Sequence, residues 1–118
     1  KNGKLIVLDF KTRVYPTKEN THAYYQTQMD LYNFLLRKNG YPIRDYSYLL
    51  FYYPNKVLET GEIVFDTNLV KLPINADNGE MVFRQAAKLI QGNIPEKSAN
   101  CQFCNWKSFE FQSILRPQ

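Results

Sequence analysis

The sequence predicts a mixed α/β or α+β domain. Three features carry that prediction: an apolar, β-branched run near the start, two later stretches with helical spacing, and strand-like runs between the helices. A chain of 118 residues has room for one domain with a true core. Its hydrophobic content of 44% is that of a globular rather than a disordered chain. No apolar run approaches the roughly 18–20 residues of a membrane span, so no membrane partner is expected. The opening residues Lys1-Asn2-Gly3-Lys4 do not read as a secretion leader.

The elements follow in order. Leu5–Lys11 reads as a strand, and its apolar run suggests burial on both faces. Asn2-Gly3 before it has the composition of a tight turn, as in a hairpin from a preceding strand. Arg13 to Asn20, with Pro16, is a loop. A helix is expected from Thr21 to about Lys38, with Asn20 or Thr21 as N-cap and Asn39-Gly40 as the stop. Its apolar positions include Tyr24, Leu31 and Leu35, with Tyr25, Tyr32 and Leu36 one step round. Tyr46 to Tyr53 is a second strand, ended by Pro54-Asn55. Lys56 to Asp66 is a third, with Gly61 as a bend or bulge. Leu69 to Ile74 is a short edge piece limited by Pro73. Asn75 to Gly79 is a turn, and Glu80 to Gln91 a second helix ended by Gly92. The division expected is a domain over 1–92 and a cysteine-containing tail over 93–118. No internal repeat or low-complexity segment is present.

Net charge is +4 and the pI about 9.1, which permits a polyanionic partner without requiring one. Nine Tyr, eight Phe and one Trp fill a core or stack on unpaired bases. Two Cys, three apart, make no disulfide framework. They suggest an intracellular, cytoplasmic protein with reduced thiols, or a metal-binding pair.

Asp9 and Lys11 are the anomaly of the first strand. Period-2 geometry puts both on one face, opposite Leu8 and Phe10. One reading is a strand end that has reached solvent, with a weak surface ion pair. The other is a metal site, in which a carboxylate and a neighbouring backbone carbonyl hold a hard cation and the ammonium orients water or stabilises charge on a phosphate. Gln28 and Tyr32, four apart, share a face of the following helix. Gln28 is a polar residue among Tyr24, Tyr25, Leu31, Tyr32 and Leu35, so it is either a satisfied core amide or a site residue.

The strand Leu-Asp-Phe-Lys-Thr, a loop, and then a helix bearing Gln-Met-Asp-Leu-Tyr together resemble the PD-(D/E)XK nuclease superfamily. The likeness is to its RecB-like branch, which includes CRISPR-associated exonucleases with a cysteine-bound cluster. Asp9, Lys11, Gln28 and Tyr32 match the D-x-K and Q-x-x-x-Y positions of that branch. The resemblance implies a restriction-endonuclease-like mixed sheet flanked by helices, here without its first helix and strands. It also implies a metal-dependent DNA nuclease using Mg²⁺ or Mn²⁺. Asp9 and the Phe10 carbonyl would be metal ligands, and Lys11 would position water or stabilise the transition state. Gln28 and Tyr32 would orient Lys11 and contact DNA. Arg13 follows directly as a phosphate contact or a solvated loop charge.

The family uses an earlier Asp, and its RecB-like members often an upstream His. None of the residues before Asp9 is acidic or His. The expectation is therefore a truncated product, a domain fragment or a degenerate homologue with little activity of its own. Exposed strand edges would then favour association with another chain or a second copy. His22 reads as a surface residue. Cys101-x-x-Cys104, beside Phe103 and Trp106, is similar to part of the motif that holds a [4Fe-4S] cluster, but Lys107–Glu110 carries no third Cys. A zinc or redox module and a non-catalytic nucleic-acid-binding domain of the same fold are the alternatives.

Overall fold

The computed structural model describes residues 3–106. The order is strand β1 (Leu8–Thr12), a 3-10 segment (Thr21–Tyr25), helix α1 (Gln26–Lys38), strands β2 (Tyr46–Val57) and β3 (Ile63–Pro73), and helix α2 (Ala76–Gln91). The three strands form one mixed sheet in the order β1-β2-β3. β1 runs parallel to β2, with Asp9 opposite Leu49 and Lys11 opposite Phe51. β2 and β3 are antiparallel, with Leu49 opposite Val70 and Phe51 opposite Asn68. A parallel pair needs a crossover, and α1 supplies it.

α1 covers the sheet face that carries Asp9 and Lys11. Met29, Leu49, Phe51 and Leu72 form the buried core there, with Val7, Tyr25, Val70 and Ile74 packed around it. The buried side of α1 is Met29, Asp30, Asn33 and Phe34. This corrects the apolar stripe expected through Tyr24, Leu31 and Leu35, because Tyr24 is 84% exposed and Leu35 43%. Two of the four buried residues are polar, Asp30 and Asn33, and each makes hydrogen bonds, although Asn33 Oδ1 takes none. Asn33 Nδ2 donates to the Met29 carbonyl and to Ser47 Oγ, both at 2.8 Å. A hydrophobicity count cannot find a buried face built this way.

Asp30 turns to α2. Its carboxylate accepts from the Asn75 backbone N–H (2.7 Å), Asn78 Nδ2 (2.8 Å) and Gln26 Nε2 (3.0 Å). Asn75 is itself an N-cap, its side-chain oxygen accepting from the N–H groups of Asp77 and Asn78. The turn expected at Asn75–Gly79 is therefore the first turn of α2. Gly79 belongs in a helix here because a Cβ would stand 2.6 Å from the Asp30 carbonyl carbon. The close approach of two backbones, rather than a turn, is what requires glycine.

Three further boundaries move. Leu5 makes only an isolated parallel bridge to Ile43 before the ladder begins at Leu8. β2 runs through Pro54 to Val57, with a register irregularity between Pro54 and Lys56. Proline is tolerated because β1 ends at Thr12, opposite Tyr52, and leaves that edge of β2 without a partner among the described residues. The expected third strand, Lys56 to Asp66, spans the end of β2, the hairpin turn and the start of β3, and the expected edge piece is the continuation of β3. Gly61, at φ +86°, lies in the hairpin turn, closed by Leu58 N–H to the Glu62 carbonyl.

Burial on both faces of β1 is also corrected. Leu8 is 46% exposed and Phe10 56%, whereas Asp9 and Lys11 are half-buried. The charged face of the strand is the covered one. The chain divides into two compact units, the second beginning at Ala86.

Candidate active site

The site lies where β1 passes beneath α1. Lys11 Nζ stands 2.7 Å from Asp9 Oδ2, with the two side chains 18% and 20% exposed. The same ammonium donates to Gln28 Oε1 at 2.9 Å. Gln28 Nε2 then donates to Tyr32 Oη at 2.6 Å. The four residues picked out in the sequence thus form one chain of contacts, Asp9–Lys11–Gln28–Tyr32, joining a strand to a helix 17 residues away in sequence. The amide orientation is fixed by its neighbours: the carbonyl oxygen faces the cation and the NH₂ group faces the phenol.

Tyr25 completes the setting. Lys11 Nζ lies 4.6 Å from the centroid of its ring, which packs against Phe51 with centroids 5.8 Å apart. A cation over an aromatic face is stabilised by the ring quadrupole. Sequence reasoning counted Tyr25 only as an apolar helix residue. Its role follows from its place in the 3-10 segment just before α1, which no local signal marks.

Asp9 Oδ2 is buried and receives no aligned hydrogen bond, although the ammonium is close. With the ammonium as its one close partner among the described residues, the carboxylate keeps capacity for a hard divalent cation. One carboxylate and a backbone carbonyl are a partial ligand set. Among the described residues no group of three or more His, Cys, Asp or Glu comes together. Arg13 continues the same face of the chain two residues beyond Lys11. Its main-chain N–H bonds to the Tyr52 carbonyl at 2.9 Å, while its Nε is buried with no hydrogen-bond partner. An unpaired buried guanidinium nitrogen beside a site of this kind suits an anion.

His22 is half-buried in the 3-10 segment. Cys101 and Cys104, which form no disulfide, lie at the start of a short helical segment over 102–106. The Cys104 N–H donates to Cys101 Sγ at 3.4 Å. That bond and the Cys104 side chain hold the Cys101 thiol below its ordinary pKa. No further His, Cys, Asp or Glu joins the pair to make three among the described residues. Lys107–Glu110, where a third Cys would be sought, lies outside them.

A mixed sheet crossed by a helix, with a carboxylate and a lysine two residues apart on the covered face of its first strand, defines a nuclease-type fold. The family model of the PD-(D/E)XK nuclease superfamily matches residues 1–109, and the chain belongs to that superfamily. Its members are metal-dependent nucleases that act on nucleic acids with divalent cations such as Mg²⁺. No curated protein and no solved structure matches the chain. No helix among the described residues is long and apolar enough to cross a membrane.

Proposed function

We propose that this chain supplies the D-x-K half of a DNA-cleaving site of the RecB-like kind. The observation that carries this reading is the placement of Lys11 Nζ between Asp9 Oδ2 and Gln28 Oε1, with Gln28 tied to Tyr32. A surface ion pair at a frayed strand end would not require a second element to hold its lysine. Asp9 and the Phe10 carbonyl are the ligands offered to Mg²⁺ or Mn²⁺, which when bound would polarise the phosphate and lower the pKa of water. Lys11 holds the attacking water or the charge gathering on the phosphate. Gln28 accepts from Lys11 and fixes its direction, and Tyr32 fixes Gln28. Arg13 takes a neighbouring phosphate on its unpaired Nε.

Asp9 is the one carboxylate of this set, so a second acid from other sequence or another chain completes the site. The open face of the sheet, with Leu8 and Phe10 exposed, is consistent with such an association or with a second copy. A [4Fe-4S] cluster would take Cys101 and Cys104 only with further thiolates from elsewhere. The incomplete ligand set also favours a second reading, a non-catalytic nucleic-acid-binding domain of this fold.

The test has two arms. The 118-residue chain should bind Mn²⁺ weakly, measured by electron paramagnetic resonance, and Asp9→Ala should remove that binding. It should cleave single-stranded DNA poorly or not at all. No Mn²⁺ bound at Asp9 would sink the metal-site reading. Robust cleavage by this chain alone, abolished by Lys11→Ala, would show that the ligand set is complete without a further acid.

A further inference from the structure

A second feature shares the covered face of the sheet. A cavity of about 240 Å³ opens between the loop after β1, the 3-10 segment and the far strand, lined by Thr17, Lys18, Thr21, His22, Phe51 and Asn68 among others. The catalytic reading uses none of its polar residues. We propose that this cavity receives a single unpaired nucleobase of the strand whose phosphate lies at Lys11, so that the protein reads single-stranded nucleic acid beside the cleavage point. The inference rests on the nuclease reading above and adds a base subsite to it.

Position comes first. Lys11, Phe51 and Asn68 stand opposite one another across the three strands. Phe51 backs the cavity and Asn68 is part of its wall, so the cavity begins one to two strand spacings from Lys11. At about 4.8 Å per spacing, that is within roughly 10 Å of the ammonium. A strand with one phosphate at Lys11 reaches it with an adjacent nucleotide.

Size comes next. A volume of about 240 Å³ equals roughly eight waters at about 30 Å³ each. That suits one base ring system better than a base pair, which favours an unstacked base.

Chemistry agrees with both. Asn68 Nδ2 donates to Thr17 Oγ1 at 2.7 Å, which leaves the Asn68 carbonyl oxygen as an acceptor and the Thr17 hydroxyl as a donor. The imidazole of His22 adds a ring nitrogen of either kind. Lys18 brings a cation for the backbone of the same nucleotide. Donors and acceptors side by side match the edge of a base rather than a bare anion. The wall is also held in advance. Thr21 Oγ1 accepts from the Lys18 N–H at 2.8 Å, and the Thr21 N–H returns a bond to the Lys18 carbonyl at 3.0 Å. Thr21 is 4% exposed, so this loop is packed into place.

The experiment is fluorescence anisotropy of the full chain, without divalent metal, against a labelled 20-nucleotide oligothymidylate and an all-abasic strand of equal length. The expected result is about tenfold tighter binding of the oligothymidylate, in the range of one well-held base. His22→Ala and Asn68→Ala should each reduce that preference severalfold while leaving the abasic affinity unchanged. His22→Ala serves if loss of the Asn68–Thr17 bond disturbs the fold. Equal affinity for the two strands would overturn the inference, as would an undiminished preference in His22→Ala. Lys11→Ala should weaken both ligands alike. If base preference is absent but Lys11→Ala still weakens both, the subsite fails and the nuclease reading stands. If neither strand binds, both fail.

Discussion

Helix α1 has one carboxylate at each flank, and the two have opposite states. On one flank it meets Asp9, whose Oδ2 is buried beside an ammonium and takes no aligned hydrogen bond. On the other it presents its own Asp30, 1% exposed, which accepts from three neutral donors. The acceptor capacity of Asp30 is used by donors that include the main chain at the start of α2. Its charge sits at a helix N-terminus, where the macrodipole favours it. Asp9 keeps its lone pairs, and Asp30 spends them on architecture. The difference teaches where function lies: in the carboxylate the fold leaves unsaturated.

The largest effect expected is on cleavage. Where a second acid completes the site, Lys11→Ala should lower metal-dependent cleavage about 10²–10³-fold, the usual consequence of losing one preorganised charge-stabilising group. The loss of stability should be smaller than that of Asp30→Ala, because both side chains are about one-fifth exposed and water can reach Asp9 once the ammonium is gone. Single-turnover cleavage and a thermal scan of the same preparation measure both quantities. A large drop in stability with little loss of rate would reverse the roles assigned to the two flanks.

Asp30 should behave in the opposite way. Asp30→Ala strands Asn75 N–H, Asn78 Nδ2 and Gln26 Nε2, and should cost about 3 kcal/mol of folding stability. Urea unfolding gives the value directly. Asp30→Asn is the sharper form, since it keeps the volume and replaces an acceptor oxygen with a donor. If Asp30→Asn is as stable as the parent, the carboxylate is not what joins α1 to α2. Gly79→Ala probes the same junction with a smaller effect. An added methyl collides with the Asp30 main chain, and overpacking of this kind costs about 1–3 kcal/mol. No loss in Gly79→Ala would show that the helices can separate without penalty.

The sequence made one flank legible and hid the other. Asp9 and Lys11 stood out because charges interrupt an apolar strand, and Gln28 and Tyr32 because their spacing puts them on one helix face. Asp30 lay between them in Gln-Met-Asp-Leu-Tyr, where a charged residue reads as solvent-exposed. Its partners Asn75 and Asn78 are 45 and 48 residues away, and they too read as a surface turn. Asn-Gly in the first turn of a helix contradicts local propensity, and only the contact with α1 explains it. The exposure of Leu8 and Phe10 was equally hidden, since apolar residues do not announce which face is covered. Strand and helix types were legible except at Thr21–Tyr25, read as the start of α1 and found as a 3-10 segment. Boundaries failed at Pro54, Gly61 and Asn78-Gly79, each a breaker residue that this fold accommodates for a separate structural reason.

The smallest effect expected is the most informative about the open flank. Tyr32→Phe removes the oxygen that accepts from Gln28 Nε2 and leaves the ring in place. Tyr32 is 38% exposed, so water replaces the lost partner and stability should change by no more than a few tenths of a kcal/mol. The Gln28 amide then loses its orientation, and Lys11 loses part of its direction. Cleavage should fall about three- to tenfold, roughly 1 kcal/mol. Two roles for Tyr32 give that same number: fixing Gln28, or touching the nucleic acid directly. A double-mutant cycle separates them. If Tyr32 acts through Gln28, Tyr32→Phe has no further effect once Gln28→Ala is present. If its effect is undiminished in that background, the phenol meets the substrate, and the relay from Asp9 to the helix ends at Gln28.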